Sequence, residues 1–256
     1  MSKFAGRSFV REVVLPSRGV RYEGKLPGGR VHVAAISLTE QLAIASSGES
    51  GEKVVELLLS TLVDFGESGL TPADLLSGDR MFLLYQIRAL SYGPIKWSER
   101  CYTPNCGVQV EFAVALDQLP VISLKDDEIE PFFVDLPARG VRVGLRSLRK
   151  RDEDAIAAFV SKTQMGANGS MLPRMASRIV SVQGETLDLS RAMVWLTQPA
   201  LEGPDLMALE QAIENGEPGP YPLVSTTCPS CRAQHETEVP LDATFFRPVA
   251  RRRPGS

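Results

Sequence analysis

The chain is short of the residues on which most enzymes and membrane proteins are built. Only two histidines occur, His32 and His235, so histidine-based acid–base or nucleophile-activating pairs have little raw material. No apolar run approaches the ~20 residues of a membrane-spanning helix. A Gly-rich phosphate loop, a His-Glu-x-x-His pair and a Gly-x-Ser-x-Gly elbow are all missing, which removes three common chemistries. Neither sign of charge dominates. Lys and Arg total 28 against 31 Asp and Glu, and a net charge of −3 sets up no general field for nucleic acid. The acidic run Asp126-Asp127-Glu128 with Glu130 reads as a solvated linker, and Arg149-Lys150-Arg151 before Asp152-Glu153-Asp154 as a self-compensating helix start. Nothing here argues for an enzyme or a small-molecule substrate.

Cysteine is scarce too, but the four that exist are arranged. They form two tight pairs, Cys101-Tyr-Thr-Pro-Asn-Cys106 and Cys228-Pro-Ser-Cys231. Tetrahedral zinc takes four thiolates, and two pairs supply them with little chain strain. Pro104-Asn105 and Pro229-Ser230 put each pair in a turn, and a strand-like stretch follows each, as in a knuckle at a hairpin tip. A shared structural Zn2+ held by Cys101, Cys106, Cys228 and Cys231 is therefore expected. A disulfide framework fits less well, since the start Met1-Ser2-Lys3 reads without a secretory signal and the chain is too long to need staples. A thioredoxin-like dithiol would open a helix after Cys231, whereas Arg232 to Leu241 reads as a strand. His235, on that strand, is a conceivable substitute ligand, although four thiolates already fill a tetrahedral site.

The rest of the chain, 43% hydrophobic and 23% charged, reads as α+β. Strands are expected at Ser8 to Leu15, Val20 to Tyr22 and Arg30 to Ile36, around turns at Pro16 to Gly19 and Leu26 to Gly29. Thr39 caps a short helix to Ser46, and Ser50 opens a largely buried one that Gly66 ends. Thr71-Pro72-Ala73-Asp74 is a helix entry, and Asp79 opens the most apolar helix, Arg80 to Ser91, stopped by Gly93-Pro94. Arg80 and Arg88 on that helix call for snorkelling or a salt bridge to Asp79 or Glu99. Val108 to Leu116 reads as a strand. Beyond it come strands at Pro131 to Leu136 and Val141 to Leu145, then a helix from Arg149 to Lys162 whose Ala155, Ile156, Phe159 and Val160 face inward. A mobile loop follows at Met165 to Ser170. Helices are expected at Leu172 to Val182, Ser190 to Leu196 and Pro204 to Glu214, a Pro/Gly linker at Glu217 to Pro222, and a strand at Gln234 to Leu241.

Two local matches point to an internal duplication. Leu15-Pro16-Ser17-Arg18-Gly19-Val20-Arg21 recurs as Leu136-Pro137-Ala138-Arg139-Gly140-Val141-Arg142, and both arginines read as parts of a turn with Gly19 and Gly140 at positive φ. After the knuckles, Gln109, Glu111, Val114, Leu116 and Asp117 match Gln234, Glu236, Val239, Leu241 and Asp242 in nearly the same register. The expected organisation is two duplicated halves, each a β-hairpin, helices, a cysteine knuckle and a closing strand, joined through one shared zinc-ribbon-like site. The halves are residues 1–120 and 121–247, with a basic flexible tail at 248–256 carrying Arg251-Arg252-Arg253.

The entry Val14-Leu15-Pro16-Ser17-Arg18-Gly19-Val20-Arg21-Tyr22 carries a family resemblance. So does Leu75-Leu76-Ser77-Gly78-Asp79-Arg80 running into Leu83 to Gly93, with Cys101 to Cys106 just beyond. In this order they resemble the baseplate hub proteins of contractile-tailed bacteriophages, a family that includes hub-assembly chaperones. The resemblance covers Phe9 to Leu119, and the second half through its knuckle and Phe245-Phe246. It implies a non-catalytic structural or assembly role, exercised through surfaces offered to hub, tube or tape-measure proteins. The implied location is the host cytoplasm during assembly, and the tail baseplate if the chain is retained in the virion. The other reading is a zinc-ribbon nucleic-acid-binding protein. Around the knuckles, however, it finds only Arg100, Arg232 and Tyr102 against Glu99, Glu111 and Glu236.

Overall fold

A computed structural model describes residues 3–46, 51–163, 170–241 and 245–246; within them the chain is α+β, with seven α-helices and five small antiparallel sheets. Strand β1 (Val10–Val14) pairs with β2 (Arg30–Ala34). Helices α1 (Leu38–Ser46) and α2 (Gly51–Leu62) follow, and β3 (Val63–Asp64) returns onto β2. Helix α3 (Ser77–Tyr92) leads into the hairpin of β4 (Ile95–Arg100) and β5 (Gln109–Val114), and β6 is Val121–Ile122. The order then recurs with variation. Strand β7 (Phe132–Leu136) pairs with β8 (Val141–Leu145), helices α4 (Lys150–Thr163) and α5 (Met171–Ala176) follow, and β9 (Ile179–Val182) returns onto β8. A short β10 (Glu185–Thr186), helices α6 (Leu189–Thr197) and α7 (Gly203–Gly216), and β11 (Gly219–Pro220) lead to the hairpin of β12 (Leu223–Thr227) and β13 (Gln234–Glu238). Strand β11 crosses back to pair with β6.

Helix α3 is where the first core gathers. Leu83, Leu84, Tyr85 and Ile87 are buried against Leu58, Leu59 and Leu62 of α2 and Val31 and Val33 of β2. The period-2 alternation of β2 and the wide apolar face of α2 both supply this cluster. Val239, Phe245 and Phe246 join it from the far end of the chain, each large side chain worth about 1.5–3 kcal/mol when fully buried. A second core lies between Leu136, Val143 and Leu145 on one side and Ile179, Leu196 and Leu209 on the other.

The two recurring turns are held in the same way. Ser17 N–H donates to Asp79 Oδ1 at 2.9 Å, and the N–H groups of Ala138 and Arg139 donate to Asp205 at 2.7 and 3.2 Å. Each aspartate is fully buried in the first turn of its helix, α3 or α7. Gly19 (φ 78°) and Gly140 (φ 63°) are left-handed, as the turn reading requires. At Gly19 a Cβ would also meet the Leu26 carbonyl oxygen at 1.8 Å.

Several expectations fail for identifiable reasons. Val20 to Tyr22 is a chain of tight turns rather than a strand, with Val20 N–H bonded to Ser17 O and Tyr22 N–H to Gly19 O. Its side chains are drawn inward: Tyr22 donates to Asp79 at 2.7 Å, and Arg21 crosses to the second half. Ser37, not Thr39, begins α1, bonding Glu40 through both its N–H and its hydroxyl. Helix α2 stops at Leu62 because Val63 pairs with Val33. Thr71 caps and Pro72 opens a turn as expected, but it is a short 3-10 turn ending at Asp74, and α3 begins separately at Ser77. Helix α5 ends at Ala176, and the β-branched run after it forms β9 on β8. Ala155 is exposed, and of the four residues expected inward in α4 only Ile156 is fully buried. Ser50, Asp242, most of the loop at Met165 to Ser170 and the tail 248–256 lie outside the described residues.

Several charged residues turn out to join segments far apart in the chain. Arg21, 3% exposed, donates to Ser147 Oγ at 2.5 Å and to the carbonyls of Gly216 (2.6 Å) and Glu128 (3.1 Å). Glu130 is no solvated linker residue, since it accepts from Ser147 N–H at 2.7 Å and from Arg149 at 3.1 Å. Nor does the 149–154 run neutralise only itself. Arg149 also bonds Arg21 O, Lys150 pairs with Glu52 as well as Asp154, and Arg151 reaches Asp74. Arg80 is bound by Glu52 at 2.5 Å, neither by Asp79 nor by Glu99. Arg88 donates to Gly93 O and lies over the rings of Tyr92 and Phe245. Gly78 sits so close to Pro218 O that a Cβ there would be 1.6 Å from it. Contacts between residues 1–120 and 121–247 therefore extend well away from the cysteines.

Candidate metal centre

Both cysteine pairs occupy hairpin tips. Arg100 pairs with Gln109 at the end of the first hairpin, and Thr227 with Gln234 at the end of the second. The next residue on each outgoing strand is a cysteine. Cys101 N–H donates to Val108 O at 2.8 Å and Cys228 N–H to Ala233 O at 2.9 Å, so both tips close alike. Left-handed Asn105, Gly107 and Arg232 turn the chain back. The incoming strands β4 and β12 were not read from the sequence. Ile95 and Trp97 do carry a period-2 signal, which the short segment between Gly93-Pro94 and Cys101 obscures.

The hairpins pack side by side. Val110 and Phe112 of β5 are buried with Cys101 and Cys228, Val224 of β12 packs on them, and Trp97 stacks on Phe112 with ring centroids 5.1 Å apart. Thr237 donates to Glu99 at 2.7 Å across the two hairpins. This brings together the four sulfurs, all within 4.8 Å of one another. Cys101 and Cys231 lie 3.6 Å apart, and Cys106 and Cys228 3.8 Å. A tetrahedral ion with Zn–S bonds of ~2.3 Å requires sulfurs about 3.8 Å apart, and a disulfide requires ~2.05 Å. The four thiols are free, and these two separations fit the first geometry.

The polar surroundings act differently on two of the sulfurs. The backbone N–H of Ala233, then the Thr103 hydroxyl, lower the Cys231 thiol below its ordinary value. Cys101 is raised: Thr103 favours its thiolate, but burial and hydrogen bonds with Cys231 and Cys106 outweigh that. Four thiolates this close would repel one another, and a cation at their centre would relieve that. Four such ligands on one ion would leave no open position for substrate, the pattern of a structural centre. Each pair contributes two donors, so neither hairpin holds the set alone.

His235 is outside the four-sulfur set yet touches it. It is buried on β13 with Nε2 at 3.2 Å from Cys101 Sγ. Tyr102 covers its ring at 4.1 Å between centroids and donates to Gln234 O at 2.8 Å. Only its four-residue spacing from Cys231 hinted at this in the sequence. No described helix is long and apolar enough to cross a membrane.

A family model described as T4 bacteriophage base plate protein matches residues 18–247. No curated protein and no solved structure matches the chain.

Proposed function

This chain belongs to the T4 bacteriophage base plate protein family, and we propose that it is a non-enzymatic structural or assembly protein of a contractile-tail baseplate hub, stapled by one structural Zn2+ on Cys101, Cys106, Cys228 and Cys231. The family match carries the baseplate role. The tetrahedral sulfur spacing supports the metal, and with four thiolates zinc is the ion of choice. The partners in this reading are other tail proteins, among hub, tube and tape-measure components. The chain works in the host cytoplasm during assembly and stays in the tail baseplate if retained. The test is a pull-down of the tagged chain from phage-infected cells, paired with a search for it in purified virions. Recovery in virions marks a structural component. Absence from virions with capture of tail proteins marks a chaperone, and neither result would overturn the proposal.

We further infer that residues 1–120 and 121–247 descend from one duplicated unit. The supports are the order of strands and helices, the return of β3 onto β2 and of β9 onto β8, the turn N–H groups bound by Asp79 and Asp205, and the matched closure of Cys101 and Cys228. The halves are units of descent rather than of packing, since Val239, Phe245 and Phe246 lie in the first core. Superposing β1–β2–β3 with α3 on β7–β8–β9 with α7 checks this. Equivalent helix axes on opposite faces of the two sheets would count against it.

A further inference from the structure

A thiolate that binds a metal keeps lone pairs pointing away from it, and these remain basic unless a donor meets them. Two sulfurs here meet a polar group from the opposite hairpin, in addition to Thr103 for Cys101 and the Ala233 N–H for Cys231 on their own hairpins. His235 of the second hairpin places Nε2 at 3.2 Å from Cys101 Sγ of the first. Thr103 of the first places Oγ1 at 3.6 Å from Cys231 Sγ of the second. His235 is 4% exposed and does not belong to the set of atoms lying within 4.8 Å of one another, so it stands behind Cys101 rather than among the ligands. Its ring is fixed by Tyr102, which is itself tied to Gln234 O by a 2.8 Å hydrogen bond.

We propose that His235 is a positioning residue of the metal centre: its Nε2–H donates to the Cys101 thiolate, aims that sulfur at the ion and slows release of the metal. This rests on the reading of the four cysteines as a zinc site. The N–H group draws charge from the buried sulfur, which lessens its tendency to take up a proton or attack an electrophile. Because the contact runs between hairpins, it also holds Cys101 beside Cys228 and Cys231 before the ion arrives. The Thr103 hydroxyl, which accepts from the Cys231 thiol, does the same for Cys231 once that sulfur is a thiolate, more weakly at its longer distance. Partners of this kind are typically worth 10–100-fold in metal affinity.

The test uses the full-length protein with three substitutions. His235→Phe keeps a ring against Tyr102 but has no N–H, His235→Gln keeps a side-chain N–H near the same place, and Thr103→Val removes the weaker donor. Bound zinc is first counted in the wild type, and its release to an excess of a chromogenic chelator is then timed. The Co2+-substituted forms are compared by their sulfur-to-metal charge-transfer bands. The expected result is full zinc in every form, with release from His235→Phe faster by about 10-fold or more and restored toward wild type in His235→Gln. The charge-transfer band of His235→Phe should move to lower energy. If the wild type binds no zinc, the reading of the cysteines fails. If the wild type binds zinc but His235→Phe matches it in release rate and spectrum, only the role of His235 falls. A lower melting temperature in His235→Phe with unchanged release would mark His235 as packing alone, and would equally overturn the proposal.

Discussion

The guanidinium of Arg21 lies 2.5 Å from the hydroxyl of Ser147, buried at the seam between the two halves of the chain. The same group caps the carbonyl of Gly216 at the end of α7, and Arg149 reaches back to the Arg21 carbonyl. This seam and the hairpin tips are separate places of contact. The proposed zinc therefore fixes the tips, while the bodies are held by buried polar groups and the close approach of Gly78 to Pro218.

Replacing Cys101 by Ser should abolish zinc binding and loosen the tips without separating the bodies. In small peptides structural zinc contributes ~10–16 kcal/mol of apparent binding energy, and much less of that is net stability in a domain with its own core. A fall in melting temperature of about 5–10 °C is expected, with hydrogen exchange rising in β4, β5, β12 and β13 and staying low in α3 and β8. Retained zinc with an unchanged melting temperature would sink the shared site.

Replacing Arg21 by Ala should destabilise the protein more than any exposed charge change. It leaves the Gly216 carbonyl and the Ser147 hydroxyl without this donor in a buried place, at a cost of roughly 3–5 kcal/mol. Lysine rescues little, since one ammonium cannot reach Ser147, Gly216 and Glu128 together. Urea unfolding of both variants, with metal content measured alongside, separates this seam from the zinc site, which should stay full.

Asp79 gives a pH dependence of definite sign. Burial pushes its carboxyl up to about 6, although Ser17 and Tyr22 hydrogen-bond it. From about pH 4 to about 6 the folded state then keeps a proton that the unfolded chain has lost. The contribution of this group to stability is highest below that window, falls as pH rises through it, and is flat above. Asp79→Asn removes this fall, of the order of 1–3 kcal/mol, and keeps an acceptor for only one of the two donors, Ser17 N–H and the Tyr22 hydroxyl. Denaturation at pH 4 and pH 7 should show the gap between variant and wild type narrowing as pH rises. A gap of constant size would show that Asp79 does not titrate there.

The thiols should behave as one unit. In the metal-loaded protein all four cysteines are expected to alkylate slowly, and to become reactive together once a chelator removes the ion. Fast alkylation of Cys231 alone in the loaded protein would favour a dithiol redox role over a structural metal. Mass spectrometry of partly modified protein distinguishes the two patterns.

Local chemistry was legible in the sequence wherever residues act on their own neighbours. The cysteine turns, the Gly93-Pro94 stop, the burial of α3 and the glycine turns at Gly19 and Gly140 all follow from short-range rules. The four-cysteine set was legible as well, because no other soft ligands compete for an ion. The partners of buried charges were not. Arg80 binds Glu52 instead of its neighbour Asp79, because Asp79 is already taken by Ser17 and Tyr22. Val20 to Tyr22 left the strand pattern because Arg21 and Tyr22 find buried partners far along the chain. His235 likewise owes its role to a hairpin distant in sequence.

The sequence by itself therefore determined the main helices and turns and which residues could ligate a metal, since periodicity, turns and thiol chemistry act within a few residues. Only the tertiary structure decided what those elements are held by. Hydrogen bonds and sulfur contacts between residues more than a hundred positions apart depend on how the two halves dock, and no local rule carries that information.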